Sequence, residues 1–297
     1  MMPRAHIRML PDGKRLHLQD GPIDLIVEAF GDTREINSAY RAAAERFLTI
    51  LDELCAELPL LRQQSGAGSW PLGAVARRMV QAVAPYASRV FITPMAAVAG
   101  AVAEEILSTM TESARLARAY VNNGGDIALH LDAGKTFVAG MVERPDRPSL
   151  FGTLTLDSEQ PARGIATSGW RGRSFSLGIA DAVTVLADRA ANADAAATII
   201  ANAVDLPGSP KIVRVLACDL APDSDLGSRP VTRAVAHLTA QEIEAALSAG
   251  LRTAESLLRR GLIRAAALHL QGETVVTGVA PDVMVTLPLA SRSLAHA

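Results

Sequence analysis

Three short stretches of this chain combine residue types that could handle a charged small molecule. The first is Asn122-Asn123-Gly124-Gly125-Asp126. Paired glycines tolerate left-handed backbone angles and can present successive N–H groups to an anionic or carbonyl oxygen. Asp126 and the two asparagine amides add polar reach. The same residues also build a β-bulge or tight turn, so architecture explains them as well. The second is Thr167-Ser168-Gly169-Trp170-Arg171-Gly172-Arg173-Ser174. Arg171 and Arg173 carry planar forks matched to carboxylate or phosphate. Gly169 and Gly172 let the backbone come near, hydroxyls flank the arginines, and Trp170 offers a flat stacking face. A solvated loop whose arginines pair with surface acids is the plain alternative. The third runs from Asp181 to Thr198. Asp194 and Thr198 are four residues apart and share a helical face, which Asn202 extends. A carboxylate with a hydroxyl one turn later can hold a hard divalent cation by oxygen. An amphipathic helix with a wetted polar stripe has the same spacing.

Other chemistries leave no trace. The six histidines, at positions 6, 17, 130, 237, 269 and 296, form no metal-binding grouping. G-x-S-x-G, P-loop and G-x-G-x-x-G fingerprints are absent, and no residue is assigned a catalytic role. Cys55 and Cys218 make no C-x-x-C pair and are too few for a disulfide framework. Their apolar neighbours read them as small core residues. A net charge of -2 without a basic stripe argues against a nucleic-acid partner. The first residues contain no apolar signal segment. The longest apolar stretch, Met95 to Ala103, is about half of the roughly 20 residues a bilayer span needs. The expectation is a cytoplasmic protein with a small-molecule ligand and no membrane partner. A homo-oligomer is compatible with this.

These segments need elements to position them. Apolar residues make up 49% and aromatics only 4%, so the core rests on Ala, Val, Leu and Ile. Alternation predicts strands at 15–19 and 23–30, joined at Asp20-Gly21. Phe47, Ile50, Leu51, Leu54, Leu58 and Leu61 follow the 3–4 spacing of a helix over 36–61. Gln63 to Trp70 reads as a loop and 73–84 as a second helix. Thr93-Pro94 opens a third helix whose first turns are very small, suited to close packing against a sheet. Strands are expected at 120–122, 127–131, 136–142, 151–156, 163–168 and 182–186, with a loop at Pro145, Asp146 and Pro148. A helix over 189–203, strands at 211–216 and 231–236, a helix over 239–260 and a hairpin of 263–270 with 273–277 complete the chain. Strands and long helices in blocks favour an α+β fold. The expectation is one domain over 1–281 and a flexible tail over 282–297.

Four motifs, in order along the chain, resemble the ApbE-like flavin transferases. Ala182-Val183-Thr184-Val185-Leu186-Ala187 followed by Ala193-Asp194-Ala195-Ala196-Ala197-Thr198 looks like their V-T-V-x-A … A-D-x-x-A-T signature. Asn123 to Ile127 resembles their G-G-N/D-I strand break, Ile165 to Gly169 their V-S/T-S-G segment, and Ala97 to Gly100, loosely, their I-A-K-G helix. Fuller resemblance is to an uncharacterised branch of that superfamily. It implies an α+β fold with a central ligand cleft, Mg²⁺ at Asp194 and Thr198, and FAD or another flavin nucleotide beside Gly124-Gly125 and Ser168-Gly169. Two departures stand out. Ala99 replaces the transferases' lysine, and nothing between Ser174 and Asp181 corresponds to their H-x-I-D-P-x-T-G segment. FMN transfer itself is therefore not expected. The expected function is Mg-dependent group transfer or hydrolysis on a small anionic or nucleotide-like ligand. The alternative is a non-catalytic small-molecule or flavin-nucleotide binding protein.

Overall fold

A computed structural model describes residues 4–66, 70–142, 150–278 and 285–286. The loop expected at Pro145, Asp146 and Pro148, part of the 63–70 loop and most of the 282–297 tail lie outside the described residues. The chain divides into two compact units interleaved along the sequence. The first is Met1–Thr136, Asp157–Ile165 and Asp188–Ala195, and the second is Phe137–Leu156, Ala166–Ala187 and Ala196–Ala297. Both mix antiparallel strands with helices, and the protein is α+β as expected.

In the first unit, β1 (His6–Met9), β2 (Leu16–Asp20), β3 (Ile23–Phe30), β4 (Arg118–Asn123) and β5 (Asp126–Leu131) pair antiparallel in that order. On β3, Ile23, Leu25, Val27 and Ala29 point into the core and alternate with half-exposed residues, the period of a strand with one buried face. Helix α1 (Thr33–Leu61) begins where the Asp32 carboxylate accepts the Arg34 N–H at 2.8 Å. Its inward stripe includes Ala43, Phe47, Ile50, Leu54 and Leu61, as the spacing predicts. Helix α2 is Ala74–Val83, and a 3₁₀ turn over Pro94–Ala97 leads into α3 (Val98–Ser113). Helix α3 packs on β4, β5 and α1, burying Ala101, Val102, Ile106 and Met110.

Two expectations fail here for physical reasons. Strand β1 has no counterpart in the sequence reading because all four of its residues are exposed, so its hydrophobic pattern carries no face. Cys55, expected in the core, is exposed; it follows Leu54 and sits just off the buried stripe of α1. Cys218 is half-buried.

In the second unit, β6 (Thr136–Val142), β7 (Leu150–Asp157) and β14 (Val285–Thr286) form one small sheet in the order β14-β7-β6. Strand β8 (Gly164–Ser168) opens in the first unit, opposite β5, and ends in the second. Strands β9 (Ala182–Ala187), β12 (Ala265–Leu270) and β13 (Glu273–Thr277) pair antiparallel. Every residue of β9 and β12 is buried, which accounts for their nearly unbroken small and aliphatic sequence. Strands β10 (Ile212–Leu216) and β11 (Pro230–Val235) make a separate ribbon, followed after β10 by a short unpredicted helix, α5 (Ala217–Leu220). Helix α4 (Ala190–Ala203) opens in the first unit, where it carries Asp194, and ends in the second, where it carries Thr198. Helix α6 (Ala240–Arg259) starts with a capping box of Thr239 and Glu242 and packs on β12 and β13. Among the described residues no helix is long and apolar enough to cross a membrane.

Candidate functional site

The Asn122–Asp126 stretch is the turn between β4 and β5. Asn123 faces Asp126 in the ladder, so Gly124 and Gly125 are the two turn residues, at φ +66° and +115°. Such a turn needs left-handed angles at both positions, which glycine supplies at little cost. The Gly125 N–H is already donated to Asn122 Oδ1 at 2.8 Å. The expected run of outward N–H groups is therefore shortened by one. Asn123 is buried, and its amide donates to the Ala99 carbonyl at 3.2 Å. This ties the turn to the first turn of α3.

Asp194 meets the same helix start from α4. Its carboxylate accepts the Gly100 N–H at 3.0 Å, and the Ala99 N–H acts on it in the same sense. Helix α3 has no cap from its own Ala97, so Asp194 serves the orphan N–H groups in its place. The approach is close enough to demand glycine. A Cβ at Gly100 would lie 2.4 Å from the Ala190 carbonyl oxygen and 2.7 Å from the Ala191 nitrogen. The small residues expected to pack on a sheet thus let α3 meet the start of α4. Burial of its carboxyl, and next the negative charge of Asp126, hold Asp194 well above the usual carboxylate range; the Gly100 and Ala99 N–H groups oppose the shift without cancelling it. Residues 99–100, 123, 126 and 194 all belong to the first unit. Three stretches distant in sequence converge there on two acids and two backbone N–H groups.

The Thr167–Ser174 stretch belongs to the end of β8 and the loop after it. Its organiser is Asp181, which the sequence alone marks only as the start of the third stretch. Asp181 is buried and accepts from Arg171 Nε at 2.5 Å, Trp170 Nε1 at 3.1 Å and the Gln271 N–H at 2.7 Å. The Arg171 guanidinium also stacks over the Trp170 ring at 4.3 Å. Arg171 and Trp170 are thus engaged within the loop's own framework, while Arg173, Gly172 and Ser174 are exposed. Gly169 lies against the chain at Asp181, where a Cβ would be 2.4 Å from its carbonyl oxygen. Thr167 and Thr184 hydroxyls are 2.9 Å apart, and Ser168 is half-buried. Thr198 is half-buried and belongs to the second unit. Asn202 is half-buried, and its Oδ1 accepts the Leu177 N–H at 2.9 Å.

Among the described residues no group of three or more His, Cys, Asp or Glu is placed to hold a metal by itself. A separate hollow of about 210 Å³ lies in the first unit, and none of the sequence-selected residues lines it.

The described residues therefore define an α+β protein in which Asp194 and the Asp126 turn form a candidate site. Residues 7–276 match the family described as AbpE bacteria, and the chain belongs to that family. It is also similar to archaeal UPF0280 proteins. The one from Methanopyrus kandleri is 41% identical over 128 residues, covering 43% of this chain and 48% of the relative. That from Methanosarcina barkeri is 38% identical over 133 residues, covering 44% and 49%, and that from Methanococcoides burtonii 37% over 133 residues, covering 44% and 53%. The chain spans about half the length of the curated relatives it matches.

Proposed function

We propose that this protein is a divalent-cation-dependent enzyme acting on a small anionic or nucleotide-like molecule by group transfer or hydrolysis. The observation that carries the reading is the Asp194 carboxylate held at the start of α3 within the field of Asp126. The negative charge of Asp126 disfavours ionisation of Asp194, and a cation between two such acids would relieve that repulsion. The donor set suits Mg²⁺, which takes oxygen ligands and commonly uses one or two protein carboxylates with water and substrate oxygens completing the shell. When bound, the ion would supply charge stabilisation at a transferred or hydrolysed group. The chain's own part is positional. The Gly100 and Ala99 N–H groups orient Asp194, and Asn123, anchored on the Ala99 carbonyl, holds the Asp126 turn. The resemblance to ApbE-like flavin transferases supports Mg²⁺, since Asp194 and Thr198 fall on their magnesium positions. It also makes FAD a ligand to test. In the second unit, Arg171 is committed to Asp181, so anion recognition there falls to Arg173.

The test is a titration with millimolar Mg²⁺ or Mn²⁺, read by thermal unfolding. A ligand at 100 times its Kd adds about 2.7 kcal/mol of stability, a rise of about 5–10 °C at this chain length. Asp194→Asn and Asp126→Asn should each fold and lose the response. Identical responses in wild type and both variants would refute the cation assignment. Turnover is then sought on a panel of phosphate esters. With FAD, Mg²⁺ and a Ser/Thr acceptor protein, mass spectrometry should find no covalent FMN.

The Gly100 hydrogen bond favours a second reading. Asp194 would then be only the cap of α3, in a binding protein without catalysis. On that reading no metal response appears and no ester is turned over.

A further inference from the structure

The hollow in the first unit is a different place from the paired acids, and its polar wall includes Arg78, Arg163, Arg189, Ser108, Glu104 and Asp188. Two of its arginines are answered by carboxylates. Arg78 lies 3.5 Å from Glu104 and 3.1 Å from Glu105, and Arg189 lies 3.3 Å from Glu104. Arg163 is held differently. Its Nη1 donates to the carbonyls of Gln160 at 2.5 Å and Ala162 at 2.7 Å, and its Nη2 to that of Ser158 at 2.9 Å. Among the described residues it forms no ion pair. Three neutral carbonyls thus fix the plane of the guanidinium and leave its charge uncancelled.

A guanidinium has five N–H donors, and these contacts use three. Nε–H and one Nη2–H remain. Nε together with Nη2 is the side-on face of a guanidinium, which can donate to two oxygens of one carboxylate or phosphate. The hollow's lining sets three arginines against two carboxylates, and Glu105 adds a third negative charge beside Arg78. With no surplus of positive charge to match a dianion, a singly charged carboxylate fits better than a phosphate dianion. At about 210 Å³ the space suits a short-chain acid.

We propose that this hollow binds the carboxylate of a small organic acid, anchored side-on by Arg163. The proposal is independent of the cation reading, and its test contains no divalent metal. Full-length protein is titrated with sodium propionate and, separately, inorganic phosphate, at ionic strength held constant with sodium chloride. Binding is read by thermal shift and by broadening of the ¹³C signal of carboxyl-labelled propionate. Propionate should stabilise the protein and broaden, and phosphate should bind more weakly. Arg163→Lys keeps the charge but has no fork, and should lose about tenfold or more in affinity. Ser108→Phe fills the hollow and leaves Arg163 and its carbonyls untouched; it should abolish binding. Silence of the wild type toward propionate, or wild-type affinity in either variant, would overturn the proposal. Tighter binding of phosphate than of propionate would overturn the monocarboxylate assignment.

Discussion

Gly100→Ala puts a methyl carbon where α3 and α4 are nearly in contact. The new atom would stand 2.4 Å from the Ala190 carbonyl oxygen, 2.5 Å from its carbon and 2.7 Å from the Ala191 nitrogen. Ordinary carbon contacts need about 3.5–4 Å, so one helix start must move by roughly 1 Å. The obstructing atoms are backbone, so no side chain can swing aside. Overpacking of this kind costs about 1–3 kcal/mol. Moving α3 also stretches the 3.0 Å bond from Gly100 to Asp194, a hydrogen bond worth about 0.5–1.5 kcal/mol. Alanine returns about 0.5–1 kcal/mol through its better helix propensity. The net is a loss of about 0.5–4 kcal/mol, or about 1–16 °C in Tm. The assay is a thermal melt by circular dichroism, with Gly125→Ala as the control. Gly125 has nothing within 4 Å of its would-be Cβ and φ +115°, so it tests backbone strain without a clash and should cost about 1–3 kcal/mol. If Gly100→Ala melts within about 1 °C of wild type, the tight meeting of α3 and α4 is not as described. The inference that Asp194 is oriented by α3 then fails with it.

Two further outcomes follow from the second unit. Asp181→Asn removes the counter-charge of Arg171, whose side chain is 23% exposed beside a 5% exposed carboxylate; breaking such a pair costs about 3–5 kcal/mol, and a loss of less than about 1 kcal/mol in the unfolding free energy from urea melts would remove Asp181 from its organising role. Glu242 is pulled from the ordinary 4.5 down to about 2, first by Lys211 and then by the Thr239 N–H. A depressed carboxylate stabilises the fold above its unfolded value and loses that effect as pH falls toward its folded one. Tm should therefore drop between about pH 4.5 and 2, more steeply in wild type than in Glu242→Gln, and parallel profiles would sink the assignment.

Much of this architecture is written locally. The alternation of Ile23 to Phe30 and the 3–4 spacing from Phe47 to Leu61 depend on neighbours a few residues away, and both elements form where those patterns stand. Asn-Asn-Gly-Gly-Asp was legible as either a cradle or a turn; it is a turn, with one N–H used by Asn122. What could not be read is long-range pairing. Asp194 and Gly100 are 94 residues apart, and Asp181 and Gln271 are 90 apart. No periodicity links such positions. Arg171 looked available for a ligand because its partner Asp181 lies beyond the loop and resembles any strand-initial acid. The Arg163 hollow left no motif, because its distinctive contacts are to backbone carbonyls that every residue possesses.

Gln271 sits at φ +45° in the β12–β13 turn, a left-handed position held by a residue with a full side chain. Its Oε1 accepts the Leu238 N–H and its Nε2 donates to the Ala236 carbonyl, both at 2.9 Å, while its own N–H goes to Asp181. Glycine would ease the backbone there but sever two links, and asparagine is one methylene short of spanning them. The hairpin tip is therefore a rivet through the chain before α6 and the Trp170–Arg171 loop. Slippage of β13 by one residue would pull out all three fastenings together, so this hairpin should exchange its amide protons as a single block rather than fray from its turn.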